Sequence, residues 1–227
     1  MTTAEVAPGA RVVPEQSLMR GNFFAESTYL KTDIAKGTTR NRAGTRIVCL
    51  TADFLHGLRR AVGDECGPAA ELVFKSCGKK WGALFAKRFE QEMSEFYGKP
   101  LQDFMLALFQ ACLTELFSHH GWGKPNLDLS RHDRGLIVVE VKDAIYAELV
   151  GQSDQPVDTL LAGIFAGFFS YLSGQDLDCV QTTCKACGAD ASRFVLALAA
   201  RLAPVPAWVQ NGKGHEEILG QLAAVPA

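Results

Sequence analysis

The feature that most constrains the fold of this chain is a nearly unbroken apolar stretch, TLLAGIFAGFFSYL, at residues 159–172. Its 14 residues fall short of the ~18 that a membrane-spanning helix needs. An apolar segment of this length is typical of a helix buried in a protein core. The turn residues of 154–156 and Gly174 bound it, so the sequence predicts a core helix over 157–173 and no membrane span.

The rest of the chain alternates between helical and strand periodicity. Steps of three and four residues, with capping and breaking residues, predict further helices over 52–63, 68–97, 101–120 and 214–224. Two-residue alternation predicts strands over 24–32 and 45–51, a β-hairpin within 123–144, and strands over 176–184 and 192–200. This order predicts an α+β fold in which an antiparallel sheet packs against a helical layer.

The predicted division of the chain is a flexible N-terminal arm over 1–20, one domain over 21–203, and a C-terminal extension with a short helix over 204–227. In the longest helix one apolar stripe is predicted to be buried. It consists of Val73, Cys77, Trp81, Leu84, Phe85, Phe89 and Met93.

Charge and cysteine content limit the partners and the compartment. The net charge of −2 and the pI near 6.2 supply no general attraction to nucleic acid. The sequence contains seven cysteines, an odd number, and no export signal is recognisable at its start. We therefore expect reduced thiols and a cytoplasmic protein without a nucleic-acid partner.

The segment 160–197 carries a recognisable pattern: helix glycines Gly163 and Gly167, then Cys184, Gly188 and Phe194. The pattern resembles the C-terminal part of the 4-vinyl reductase domain, and the resemblance extends over roughly residues 23–200. That domain occurs in bacteriochlorophyll synthesis and in aromatic-sensing transcription activators. Its fold is related to TRAPP transport-particle subunits and nitric-oxide sensors. The resemblance implies a homodimeric α+β module with an apolar pocket for a hydrophobic small molecule.

The same resemblance implies positions for a zinc ion. In the aromatic-sensing relatives four side chains hold zinc, and their positions fall here at Asp158, Gln181, Cys184 and Ser192. Only one of these is a thiolate, whereas structural zinc prefers four strong ligands. The sequence therefore favours no metal, with Asp158, Cys184 and Cys187 as the weaker alternative. A redox role for the C-x-x-C pair is also disfavoured, because no helix begins there to lower a thiol pKa. Small thiols packed in a hairpin are the preferred interpretation.

Aromatic and imidazole side chains are the remaining candidates for ligand contact. The predicted ligand-binding residues are Phe104, Phe109, His120, Trp122, Phe165 and Phe169. The hollow that they line is expected between the late apolar helix and the two strands after it. The small residues of that helix, including Gly163 and Gly167, permit either close packing of another element or room for a ligand.

The predicted function is a non-catalytic binding module for a hydrophobic ligand, with a tetrapyrrole, a pigment intermediate or an aromatic compound as candidates. No nucleophile motif, phosphate loop or nucleotide-cradling sequence is present, so we favour binding over catalysis. One alternative is an enzyme or accessory protein of (bacterio)chlorophyll 4-vinyl reduction. The other is a structural or assembly subunit whose pocket is filled by its own side chains.

Overall fold

The structure, a computed structural model, describes residues 21–224. The arm predicted over 1–20 and the last three residues of the predicted extension lie outside the described residues. Within 21–224 no helix is long and apolar enough to cross a membrane.

The described chain begins with a small three-stranded sheet beside the helical layer. A short helix, α1 (Glu26–Tyr29), leads into strands β1 (Leu30–Asp33), β2 (Thr38–Asn41) and β3 (Arg46–Ile47), which pair antiparallel in that order.

The prediction of two strands here was partly wrong. Residues 26–29 are helical, β2 lies in the stretch that was predicted to be a turn, and β3 has only two residues. A long-range contact accounts for β2. The buried Asn41 side chain donates to Glu92 Oε1 at 2.8 Å, which anchors the strand to a helix 51 residues away.

Helices form the next layer and follow the predicted order. Their bounds are α2 (Ala52–Cys66), α3 (Ala70–Tyr97), α4 (Leu106–His119), α5 (Ile145–Val150) and α6 (Thr159–Ser173). The ends of α3 and α6 are confirmed at Gly98 and Gly174, which both adopt the left-handed conformation. Helix α5 was not predicted, because its six residues are too few to show a helical period.

Helices α3 and α6 pack with almost no space between their backbones. A Cβ atom added to Gly167 would overlap the carbonyl oxygen of Lys79, and one added to Gly163 would overlap that of Lys75. Gly78 and Gly82 of α3 face α6 in the same way. Of the two roles open to the small residues of α6, the structure therefore shows close packing.

This crossing also decides which face of α3 is buried. In its first half Phe74, Gly78 and Gly82 are buried, whereas Val73 and Leu84 are exposed by 44% and 67%. The predicted stripe was right for Phe85, Phe89 and Met93. It was wrong for Val73, Cys77 and Leu84. A periodicity pattern counts apolar side chains, so it does not recognise a helix face that is buried because its glycines let two backbones meet.

The second sheet has the order β4–β5–β7–β6, with every neighbouring pair antiparallel. Its strands are β4 (Lys124–Asp128), β5 (Ile137–Lys142), β6 (Leu177–Thr183) and β7 (Ser192–Leu198). Both predicted hairpins are confirmed. Because side chains alternate along a strand, Val139 and Phe194 join the main core beneath the helices, and Val138 and Val195 face the opposite side.

The C-terminal segment covers that opposite face. Helices α7 (Ala199–Leu202), α8 (Val205–Gln210) and α9 (His215–Ala224) place Leu202, Val205, Ile218, Leu219 and Leu222 against the sheet. The predicted α+β class is thus confirmed, with a helical layer on each face of this sheet. The domain boundary at residue 203 stays a prediction.

Candidate functional site

An apolar pocket lies where the C-terminal ends of α3 and α6 meet the β4–β5 hairpin. Its volume is about 330 Å³. The apolar part of its lining comes from α4, β4, β5, α6 and two connecting segments. It consists of Leu101, Phe109, Leu127, Leu129, Ile137, Phe169 and Leu172. Concave, mainly apolar sites of ~300–1,000 Å³ are typical of small-molecule binding.

Polar groups occupy the rim of this apolar pocket. Glu90, Gln102 and Ser173 complete the lining. The Tyr171 hydroxyl donates to Glu90 Oε2 at 2.7 Å, and this hydrogen bond raises the pKa of Tyr171. The Ser173 hydroxyl donates to the carbonyl oxygen of Phe169 at 2.7 Å. The pocket therefore offers an apolar interior and a carboxylate acceptor at its edge.

Two of the six predicted ligand residues, Phe109 and Phe169, line this apolar pocket. Phe104 lies outside the lining and packs edge-on against Tyr97, with ring centroids 5.4 Å apart. Ligand contact by these residues stays a prediction.

Phe165 lies in the solid core. It is fully buried and packs against Phe117 and Phe194, with ring centroids at 5.1 and 5.3 Å. The space around Phe165 is therefore filled, whereas a separate pocket of about 320 Å³, lined in part by Ala162 and Cys179, lies between the start of α6 and β6. The apolar pocket at the ends of α3 and α6 lies further along α6.

His120 and Trp122 belong to an aromatic cluster at the end of α4. His120 packs against Phe85 at 5.2 Å, and its Nδ1 lies 2.7 Å from the carbonyl oxygen of Leu116. Burial lowers the pKa of His120, although the contact with that carbonyl oxygen opposes the effect. Trp122 packs against Trp81 at 5.5 Å. Neither residue lines the apolar pocket, and their predicted ligand contact is untested.

Three of the four positions implied for zinc, Asp158, Gln181 and Ser192, are joined by hydrogen bonds. Asp158 immediately precedes α6 and is fully buried. Its backbone N–H donates to Gln181 Oε1 at 2.9 Å, and Gln181 Nε2 donates to Asp158 Oδ2 at 3.0 Å. The Ser192 hydroxyl donates to the same carboxylate oxygen at 3.4 Å. Burial raises the pKa of Asp158 to about 6, against the lowering effect of these two side chains.

This polar corner does not fit a zinc ion. Its amide and hydroxyl side chains are already bonded to Asp158, and neither type supplies the thiolate or imidazole that structural zinc prefers. Over residues 21–224 no group of three or more His, Cys, Asp or Glu side chains is placed to hold a metal ion.

The two cysteines of the C-x-x-C pair lie at the ends of one tight turn beside this corner. Cys184 is buried and Cys187 is exposed. Burial, followed by the neighbouring Cys184 thiol, raises the pKa of Cys187 to about 11. The preferred interpretation of packed thiols thus holds for Cys184 and Cys179, which are both buried. Burial also raises the pKa of Cys179.

Sequence reasoning missed most of the pocket lining. Leu127, Leu129 and Ile137 could have been found from the alternation of the β4–β5 hairpin, which places apolar side chains on one face. Glu90 carried no such signal, because it is one of several acidic residues on α3 and only the tertiary structure distinguishes it.

Comparison with known proteins agrees with the resemblance drawn from the sequence. Residues 137–198 match the family model of the 4-vinyl reductase domain, which confirms the predicted likeness. This match spans β5 to β7 and includes Phe165, Phe169 and Cys184. No curated protein matches the chain.

Solved structures provide a fold comparison. The phenol-responsive sensory domain of the transcription activator PoxR, solved with phenol, is 17% identical with a TM-score of 0.62, covering 81% of this chain and 92% of that one. At this identity the similarity shows a shared fold.

Two further structures are less similar. A vinyl-4-reductase family protein from Methanocaldococcus jannaschii is 13% identical, with a TM-score of 0.46 and coverage of 66% of this chain and 82% of that one. Trafficking protein particle complex subunit 3 from Naegleria fowleri, covalently bound to palmitic acid, is 11% identical, with a TM-score of 0.46 and coverage of 65% and 94%.

Proposed function

We propose that the chain is a binding module that holds a hydrophobic small molecule in the apolar pocket at the ends of α3 and α6. The observation that carries the proposal is the lining itself, in which Phe109, Leu127 and Phe169 face one space of about 330 Å³. A ligand that fills this space removes its apolar surface from water, which contributes about 25 cal/mol per Å² of surface buried.

The size and polarity of the pocket narrow the ligand class. Its volume lies near the lower end of the ~300–1,000 Å³ range of small-molecule sites, which favours a compact ring compound over a tetrapyrrole. The PoxR sensory domain, which has the same fold, was solved with phenol, and we extend that type of ligand to this chain as part of the proposal. Catalysis of 4-vinyl reduction stays an alternative prediction from the sequence.

Calorimetric titration with phenol, toluene and protoporphyrin tests the proposed function. We expect the single-ring compounds to bind the parent protein and to raise its melting temperature as their concentration increases. Leu172→Trp, which places an indole in the pocket, should abolish binding. Leu198→Trp is the matched control, because Leu198 is 49% exposed and does not line the pocket. Absence of binding by every probe, or equal binding by the two variants, would overturn the proposal.

We also propose that a second copy of the chain covers the exposed apolar stripe of α3. Val73 and Leu84, the members of this stripe, are exposed by 44% and 67%. Val73 and Leu84 lie on the side of α3 that faces away from α6, since the buried glycines occupy the opposite side. An apolar stripe of this kind marks an interaction surface when its members are contiguous.

Sedimentation equilibrium tests the homodimer. The parent is expected to sediment as a dimer, and the double substitution Val73→Glu and Leu84→Glu as a monomer with unchanged circular dichroism. Leu198→Glu adds the same charge elsewhere and should leave the dimer intact. A parent that remains monomeric at all concentrations would contradict the proposal.

A further inference from the structure

The two cysteines of the C-x-x-C pair are brought together by one tight turn. Cys184 and Cys187 bracket a single 3-10 turn, Lys185–Cys187, in which the Cys187 N–H donates to the Cys184 carbonyl oxygen at 3.0 Å. A turn closed from residue i to i+3 brings the two Cα atoms within about 7 Å. Disulfide-bonded cysteines span about 4.4–6.8 Å between Cα atoms, so the backbone is already close to the separation that a disulfide requires.

The two thiols differ in access, as the two steps of thiol–disulfide exchange require. Cys187 is exposed and can meet a reagent from solution. Cys184 is 1% exposed and can be reached only from Cys187. The third nearby thiol, Cys179, is buried on β6 and lies before the turn.

Neither thiol is committed to a metal. Hydrogen bonds join Asp158, Gln181 and Ser192 in the corner beside them, and this donor set does not fit zinc. Both residues are free cysteines in the structure.

We propose that Cys184 and Cys187 form a reversible intramolecular disulfide by exchange with a low-molecular-weight disulfide such as oxidised glutathione. The Cys187 thiolate attacks one sulfur of that disulfide and releases one thiolate, which takes up a proton. The Cys184 thiolate then attacks Cys187 Sγ in the mixed disulfide and releases the second thiolate. Two protein thiols are oxidised, one external disulfide is reduced to two thiols, and the sulfur–sulfur bond is conserved.

The surroundings of the pair determine the kinetics of this exchange. Burial and the neighbouring Cys184 thiol raise the pKa of Cys187, and the carboxylates of Asp154 and Asp158 add to the effect. Because the thiolate is the attacking species, the bond forms faster as the pH rises.

A disulfide at this turn would act on the segment that leads into α6. The carbonyl oxygen of Ala186, between the two cysteines, accepts a hydrogen bond from the Ser153 N–H at 2.9 Å. Oxidation would therefore restrict the turn and the loop that it holds, close to the start of the core helix.

Mass spectrometry of the protein treated with oxidised glutathione tests the inference. The background protein carries serine at the three other exposed cysteines, Cys49, Cys66 and Cys77. At pH 9 it should lose two hydrogen atoms, retain no glutathione and show a Cys184–Cys187 link in unreduced peptide maps. Dithiothreitol should reverse the change.

Two further variants identify the order of attack. Cys184→Ala should accumulate a stable glutathione adduct on Cys187, because no second thiol resolves it. Cys187→Ala should stay unmodified, because Cys184 is buried. The inference is overturned if the background protein accumulates the adduct on Cys187, or stays reduced while free cysteine in the same solution is oxidised.

Discussion

Replacing Gly167 with alanine tests the close packing of α3 on α6 directly. The added Cβ would overlap the carbonyl oxygen of Lys79 and would lie 2.8 Å from its carbonyl carbon and 2.9 Å from the backbone nitrogen of Ala83. All three atoms belong to the backbone of α3, so no side-chain rotation relieves the overlap. The two helices must separate.

The magnitude of this effect follows from two opposing contributions. Overpacking costs about 1–3 kcal/mol in ordinary cores, and a clash between two backbones belongs at the upper end, about 3 kcal/mol. Alanine offsets about 1 kcal/mol of this through its higher helix propensity. The expected net loss is about 2 kcal/mol, which lowers the melting temperature by about 4–8 °C in a chain of this size.

Gly57→Ala is the matched control for Gly167→Ala. Gly57 lies inside α2 and a Cβ there meets no atom within 4 Å, so only the propensity gain of about 1 kcal/mol remains. Urea unfolding followed by circular dichroism would measure both variants. If Gly167→Ala proved as stable as the parent while Gly57→Ala gained stability, the helices would not be in backbone contact and the packing described here would be incorrect.

Three further substitutions probe other parts of the structure. Asp158→Asn removes a carboxyl whose folded pKa, about 6, lies above the unfolded value of ~3.9. The folded chain holds this proton more tightly, so the parent should lose about 2 kcal/mol relative to the variant as the pH rises from 4 to 7. A pH-independent difference in urea unfolding would refute this. Glu92→Ala leaves the donors of Asn41 and Thr45 without their acceptor. It should lower the free energy of unfolding by about 2 kcal/mol in the same assay, and an unchanged unfolding midpoint would contradict the anchoring of β2. Leu219→Ala should lower the free energy of unfolding by about 2–5 kcal/mol, because Leu219 is 1% exposed in the core between the C-terminal helices and the second sheet. A loss below 0.5 kcal/mol, typical of surface positions, would show that α9 does not pack on the sheet.

The candidate site was predictable only in part. Phe109 and Phe169 were identified from the sequence and line the pocket, whereas Phe165, chosen by the same reasoning, is part of the solid core. All three are aromatic residues on apolar helix faces. Hydrophobic periodicity reports that such a face is buried, but not whether a side chain or an empty space lies opposite to it.

The sequence alone was sufficient to predict the helices and hairpins whose signals are local. Apolar composition, length and a terminal glycine defined α6, and two-residue alternation defined the hairpins around Gly135 and Gly188. These signals arise between neighbours along the chain, so no knowledge of the rest of the molecule is needed to recognise them.

Only the tertiary structure determined where the apolar pocket lies. The glycines at the crossing of α3 and α6 bring the two backbones together, which turns Val73 and Leu84 outward and lets aromatic rings fill the interior behind α6. An apolar space of about 330 Å³ is left at the far end of that helix, against β4 and β5. A cavity is what packing leaves unfilled between distant segments, so its position depends on how those segments meet and on no single stretch of sequence.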